Sequence, residues 1–120
     1  MLTATLEAAD TASAAIVFRH DGQDLSAPAY VALLSPAWRE VSFARTTDLA
    51  TIQKRRWEFP AGGTCRVRLV VAGAFFELYV DDLLALQGGD AALGAGGVSL
   101  AARQGSVLFR ELSYAGGHAG

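Results

Sequence analysis

Arg68, Glu77 and Tyr79 are the chemically capable side chains that the sequence itself places together. Through residues 64–86, TCRVRLVVAGAFFELYVDDLLAL, apolar residues recur at every second position: Cys65, Val67, Leu69 and Val71, then Phe76, Leu78 and Val80. Period two marks a strand with one face toward a core, which leaves Arg66, Arg68, Phe75, Glu77 and Tyr79 on the outer face. A hairpin joined at Ala72-Gly73 pairs Leu69 with Phe76 and Val67 with Leu78, and sets Arg68 opposite Glu77 and Arg66 opposite Tyr79. A guanidinium beside a carboxylate offers the donors and acceptors that vicinal sugar hydroxyls require. The same two groups also read as an ordinary cross-strand ion pair on a solvated sheet, a contact that contributes about 0–1 kcal/mol and needs no ligand.

Trp38 and Trp57 form a second set, because a flat ring stacks on the C–H face of a sugar while polar neighbours take its hydroxyls. Trp38 follows Pro36 in a loop and is expected to be exposed. Trp57 shares a strand face with Phe59 and reads as core or interface. Arg19, closing the AAIVFR strand, and Tyr30, opening the AYVALL strand, are expected on the same rim as Trp38, with an ordinary surface arginine as the competing reading of Arg19.

No residue is assigned a catalytic role. Glu77, Tyr79 and Asp81 alternate like an E-x-D-x-E acid cluster with tyrosine in the middle, but strand residues four apart lie about 13 Å apart. Glycoside hydrolysis uses carboxyl groups ~5–5.5 Å apart for retention and ~6.5–9.5 Å for inversion. His20 lies near Asp21 and Asp24 in a stretch of turn composition. Calcium at Asp10, Asp21 or Asp24 lacks a regular loop spacing, so no metal and no cofactor is assigned. Cys65 is the single cysteine, which excludes an internal disulfide and a thiolate zinc site and reads as a buried small hydrophobe. The basic run Lys54-Arg55-Arg56 is split over two faces by strand alternation. With a net charge of −2, nucleic acid is not an expected partner. No apolar run approaches the ~18 residues of a membrane span, and no leader pattern opens the chain, so the compartment stays open.

Positioning these residues falls to a single domain of residues 1–115, followed by a frayed tail at 116–120. About ten short strands alternate with turn signals: 2–8, 14–19, 29–34, 39–46, 50–59, the two central hairpins, 98–102 and 106–114. Residues 87–90 and 93–97 read as loops. Parity favours a three-residue connection, Asp81-Asp82-Leu83, which sets Leu84 against Val80 and Leu86 against Leu78. The last strand loses its alternation between Phe109 and Leu112, the mark of a bulge if both point inward. Without an amphipathic helix, this pattern predicts an all-β, two-sheet antiparallel β-sandwich, with a closed barrel as its rival.

The succession of AAIVFR, a Tyr-led strand, the VRLVV and FELYVDDLLAL block, GGVSLAAR and SVLFREL resembles a concanavalin A-like, laminin-G-like jelly roll. Within that group it is most similar to the C-terminal sandwich module of glycoside hydrolase family 32 and to fructan-binding modules. Many of those relatives have Asp-Gly or Asn-Gly where this chain has Asp81-Asp82. The resemblance implies a non-catalytic carbohydrate-binding or accessory module, with a carbohydrate and a catalytic glycosidase domain as partners. The alternative is a structural module that packs on a missing catalytic domain or another protein, which predicts an exposed apolar patch around Trp57 and Phe59 and self-association of the domain alone.

Overall fold

The computed structural model describes residues 1–8, 12–20, 29–46, 51–60, 63–89, 97–105 and 107–114. These residues form ten strands: β1 Leu2–Ala8, β2 Ser13–His20, β3 Tyr30–Ser35, β4 Glu40–Arg45, β5 Thr51–Arg56, β6 Thr64–Ala72, β7 Phe75–Val80, β8 Leu83–Gly89, β9 Gly97–Gln104 and β10 Val107–Tyr114. A single 3-10 turn, Pro36–Trp38, links β3 to β4. The strands make two five-stranded antiparallel sheets, ordered β10-β1-β6-β7-β8 in sheet A and β5-β4-β3-β2-β9 in sheet B. Two separate sheets make this a β-sandwich and not a closed barrel.

Alternation builds the interior. Leu2, Ala4, Leu6 and Ala8 of β1, Cys65, Val67 and Leu69 of β6, and Phe76, Leu78 and Val80 of β7 are buried against sheet B. Phe76 is the hub, with ring centroids of Phe18 and Tyr30 at 4.9 Å and Phe43 at 5.6 Å. Edge-on and tilted rings at such spacing add about 0.5–1.5 kcal/mol per pair beyond their buried area. Tyr30 is therefore a core residue, 0% exposed, and its expected place on a ligand-facing rim is corrected. Trp57 and Phe59 are half-buried and pack against the core, which reduces the apolar surface expected there. β5 ends at Arg56, and Trp57 donates its N–H to the Arg39 carbonyl at 2.9 Å.

Both central turns differ from expectation. The β6–β7 turn is Gly73-Ala74, with Ala72 opposite Phe75, Leu69 opposite Leu78 and Arg68 opposite Tyr79. Gly73 has φ +58°, and a two-residue turn with positive φ at its first central position favours glycine there. A turn at Ala72-Gly73 would put alanine in that position. The resulting two-residue slip keeps every side chain on its expected face, because the period is two. It does remove the Arg68–Glu77 and Arg66–Tyr79 pairings.

The second turn has two residues, Asp81 at φ +52° and Asp82 at φ +66°, with Val80 opposite Leu83 and Tyr79 opposite Leu84. Two bonds to β6 hold it: Asp81 N–H to the Arg66 carbonyl at 2.8 Å, and Arg66 N–H to Asp81 Oδ1 at 2.9 Å. The register then shifts, and Leu86 faces Leu78 in the core as expected while Leu84 stays outside beside Tyr79. β8 continues through Gly89, where a loop was expected. The anticipated irregularity in β10 is also present: Glu111 and Leu112 together face Ala4 between the Thr3–Ser113 and Thr5–Arg110 pairs. Leu112 is 55% exposed, so the bulge turns it outward.

Candidate functional site

The outer face of sheet A carries Thr3, Thr5 and Glu7 of β1, Arg66 and Arg68 of β6, and Phe75, Glu77 and Tyr79 of β7. Register sets Thr3, Arg68 and Tyr79 in one row across three strands and Thr5 beside Arg66 in the next. Between these rows lies a groove of about 140 Å³ lined by Thr3, Thr5, Arg66, Arg68, Tyr79, Asp82 and Glu111. The Arg68 guanidinium carbon sits 4.2 Å from the centroid of the Tyr79 ring. Its Nε is covered and unbonded, and the residue makes no ion pair among the described residues.

The opposite wall depends on the β10 bulge. Glu111 has φ +54°, a backbone region that side chains other than glycine, asparagine and aspartate seldom occupy. That conformation turns its carboxylate onto the face, where Oε2 accepts the Thr5 hydroxyl at 2.8 Å. Arg66 closes one end through Asp82 Oδ2 at 3.9 Å, and Arg110 is held outside the groove by Glu7 at 2.7 Å. A positioned guanidinium, an aromatic ring, a carboxylate and threonine hydroxyls thus converge on one small space. That set matches a polyhydroxylated ligand: the guanidinium donates and the carboxylate accepts, with Tyr79 holding the guanidinium in place.

Of the sequence candidates, Arg68 and Tyr79 meet in this groove. Glu77 shares their face but stands between Val70 and Gln87, so the expected Arg68–Glu77 pair is replaced by the Arg68–Tyr79 stack. Arg19 and Trp38 do not share a rim. Arg19 follows Phe18, which pairs with Tyr30 at the start of β3, whereas Trp38 lies beyond the other end of β3. Arg19, at φ +56°, donates from its guanidinium to the Gly73 carbonyl. Trp38 is 53% exposed on the 3-10 turn.

Glu111, Asp82, Thr3 and Thr5 escaped the sequence reading. The broken alternation of β10 signalled a bulge, yet nothing in the sequence says which side chain a bulge re-aims.

Cys65 is buried on the inner side of β6, where desolvation, and secondarily the Asp81 carboxylate, push its thiol up to about 12. In the run Lys54-Arg55-Arg56, Arg55 lies 5.5 Å over Trp57 and points at the Leu84 and Ala85 carbonyls, while Arg56 pairs with Glu58. Among the described residues no three His, Cys, Asp or Glu side chains gather as a metal site, and no helix is long and apolar enough to cross a membrane. Asp10, Asp21 and Asp24 lie outside the described residues, as does the tail at 116–120.

No protein-family model matches the sequence, and a search of curated proteins finds no match. Solved structures do match. The carbohydrate-binding module CBM66 from Bacillus subtilis aligns with a TM-score of 0.78 at 17% identity, over 92% of this chain and 71% of that one. Sheep galectin-11, solved in complex with glycerol, gives 0.63 at 13% identity over 90% and 86% of the two chains. The Caenorhabditis elegans galectin LEC-6 gives 0.64 at 12% identity over 94% and 81%. At these identities the likeness shows the fold, an all-β two-sheet antiparallel sandwich of the jelly-roll type.

Proposed function

We propose that this chain is a non-catalytic carbohydrate-binding β-sandwich whose ligand sits in the groove on the outer face of sheet A. The observation that carries the reading is Arg68, stacked on Tyr79 and without an ion pair among the described residues, in one groove with the Glu111 carboxylate that the β10 bulge presents. A charged donor and a charged acceptor on opposite walls can take two neighbouring hydroxyls of one sugar while Tyr79 holds the donor in place. The printed names of the similar structures, a carbohydrate-binding module and two galectins, support the same class. The finer assignment is to an accessory module of a glycoside hydrolase, acting on fructan- or plant-polysaccharide-type sugar; it rests on the resemblance described above.

Affinity gels of fructan, galactan and arabinan test the binding. The protein is expected to be retarded by one of them, and Arg68→Ala and Glu111→Gln to migrate freely while Trp38→Ala behaves as the parent. Equal retardation of Arg68→Ala and the parent, or loss confined to Trp38→Ala, would move the site away from this groove.

A second role, packing against a glycosidase domain or another protein, is favoured by Leu83 and Leu84, which are 62% and 40% exposed at the start of edge strand β8. The chain alone should then self-associate, and Leu83→Ser should reduce that association in sedimentation velocity. A parent chain that sediments as a monomer at high concentration argues against the role.

A further inference from the structure

We infer that the binding site continues along β7 into a second subsite formed by Phe75, Glu77 and Gln87, and that its occupant is the continuation of a neutral oligosaccharide whose first sugar lies in the groove. The inference rests on the proposed function and specifies its ligand as a chain. Phe75, Glu77 and Tyr79 stand at alternate positions on one face of β7, so the track from Tyr79 to Phe75 runs about 13 Å at the rise of a strand. That is longer than one sugar ring.

Phe75 is built to stand clear. An aromatic ring on a sheet surface normally packs on its cross-strand neighbours, but those of Phe75 are Ala72 and Gly89, and the residue is 69% exposed. Gly89 cannot supply a cover, since a Cβ there would lie 2.5 Å from the Ala74 carbonyl oxygen. Two residues along, Glu77 is half-buried between Val70 and Gln87 and forms no ion pair among the described residues. An uncovered ring, a carboxylate and an amide therefore repeat the chemistry of the groove one step further along the strand.

The charge balance selects the kind of chain. On this face Glu7, Glu77, Asp82 and Glu111 stand against Arg66, Arg68 and Arg110, and Arg66 and Arg110 already pair with Asp82 and Glu7. Glu77 next to the track accepts from hydroxyls and opposes a carboxylate or sulfate. A neutral glycan fits, and an acidic one does not.

Calorimetric titration of the parent protein with fructose and the inulin-type di- to tetrasaccharides, and with galactose and the matching galacto-oligosaccharides, provides the test. Affinity is expected to rise with chain length by about three- to tenfold, the increment one stacked ring supports. Phe75→Ala and Glu77→Gln should remove that increment and leave monosaccharide affinity unchanged. Equal affinity for monosaccharide and longer chains, or a Phe75→Ala loss of the same size on both, overturns the second subsite while leaving the groove intact. Failure of every sugar to bind the parent overturns the groove and its extension together.

Discussion

Arg68 lies over the ring of its cross-strand neighbour Tyr79, with the guanidinium carbon 4.2 Å from the ring centroid. The contact fixes the direction of a long, flexible side chain without neutralising its charge, because a ring quadrupole attracts a cation but supplies no counter-ion. Arg68 is thereby oriented over the groove and still able to donate to a ligand.

The stack should be measurable without any ligand. In urea melts, a double-mutant cycle of Arg68→Ala and Tyr79→Ala is expected to give a coupling of about 0.5–1 kcal/mol. Strictly additive costs would mean that the two groups are merely adjacent.

The Asp81-Asp82 turn predicts opposite outcomes for two similar substitutions. Asp82 sits at φ +66°, and its ion pair with Arg66 spans 3.9 Å between side chains that are 72% and 76% exposed. Such a pair contributes little, so Asp82→Gly should be neutral or stabilising by up to about 1 kcal/mol through relief of the backbone. Asp81 also has positive φ, but its Oδ1 accepts the Arg66 N–H. Asp81→Gly should therefore lose up to about 1 kcal/mol despite the same relief. Denaturation midpoints at unchanged m-value decide it, and equal effects of the two would show that the Oδ1 bond contributes nothing.

These turns also mark where the sequence stops being informative. Period-two alternation assigned Cys65, Val67, Leu69, Phe76, Leu78 and Val80 to the core, because a strand has only two faces. The same parity cannot distinguish a hairpin from one slipped by two residues. The choice fell to Gly73, whose place at the first central position of the turn put Tyr79, not Glu77, opposite Arg68. Tyr30 is ambiguous in sequence for a related reason: the outer face of sheet B is apolar as well, with Ala15, Val31 and Ala44 buried in a second cluster, so alternation along AYVALL does not reveal which side is inner. Glu111 was beyond reach, since its position depends on the three-dimensional course of a bulge.

Cys65 gives a pH-dependent prediction. Burial, followed by the Asp81 carboxylate, raises its thiol from 9.0 to about 12. A group whose folded value lies above its unfolded value contributes stability that is complete below the unfolded value and is lost as pH rises toward the folded one. Stability should thus fall between pH 9 and 12, with Cys65 accounting for a slope on the order of 1.4 kcal/mol per pH unit. Cys65→Ala should flatten that part of the profile relative to the parent, and the parent thiol should react with a disulfide reagent at pH 8 only once unfolded. Parallel profiles of parent and variant, or rapid labelling of the folded protein, would contradict this account.

Glu111 supplies the sharpest test of whether the groove is a binding site. A non-glycine residue at φ +54° in a bulge holds a conformation that costs on the order of 1 kcal/mol, and glycine would adopt it freely. Against this, the Thr5–Glu111 hydrogen bond returns about 0.5–1.5 kcal/mol. The two nearly cancel, so Glu111→Gly should leave stability within about 1 kcal/mol of the parent. If the strained residue is there to present a carboxylate to a sugar, the same variant should lose retention on the affinity gel, because glycine offers no acceptor. Glu111→Gln keeps the side chain and an acceptor for Thr5, so it should fold as the parent does and still lose retention on the gel. A Glu111→Gly protein that is unchanged in stability and still bound by the gel would show that the bulge serves the edge of sheet A alone.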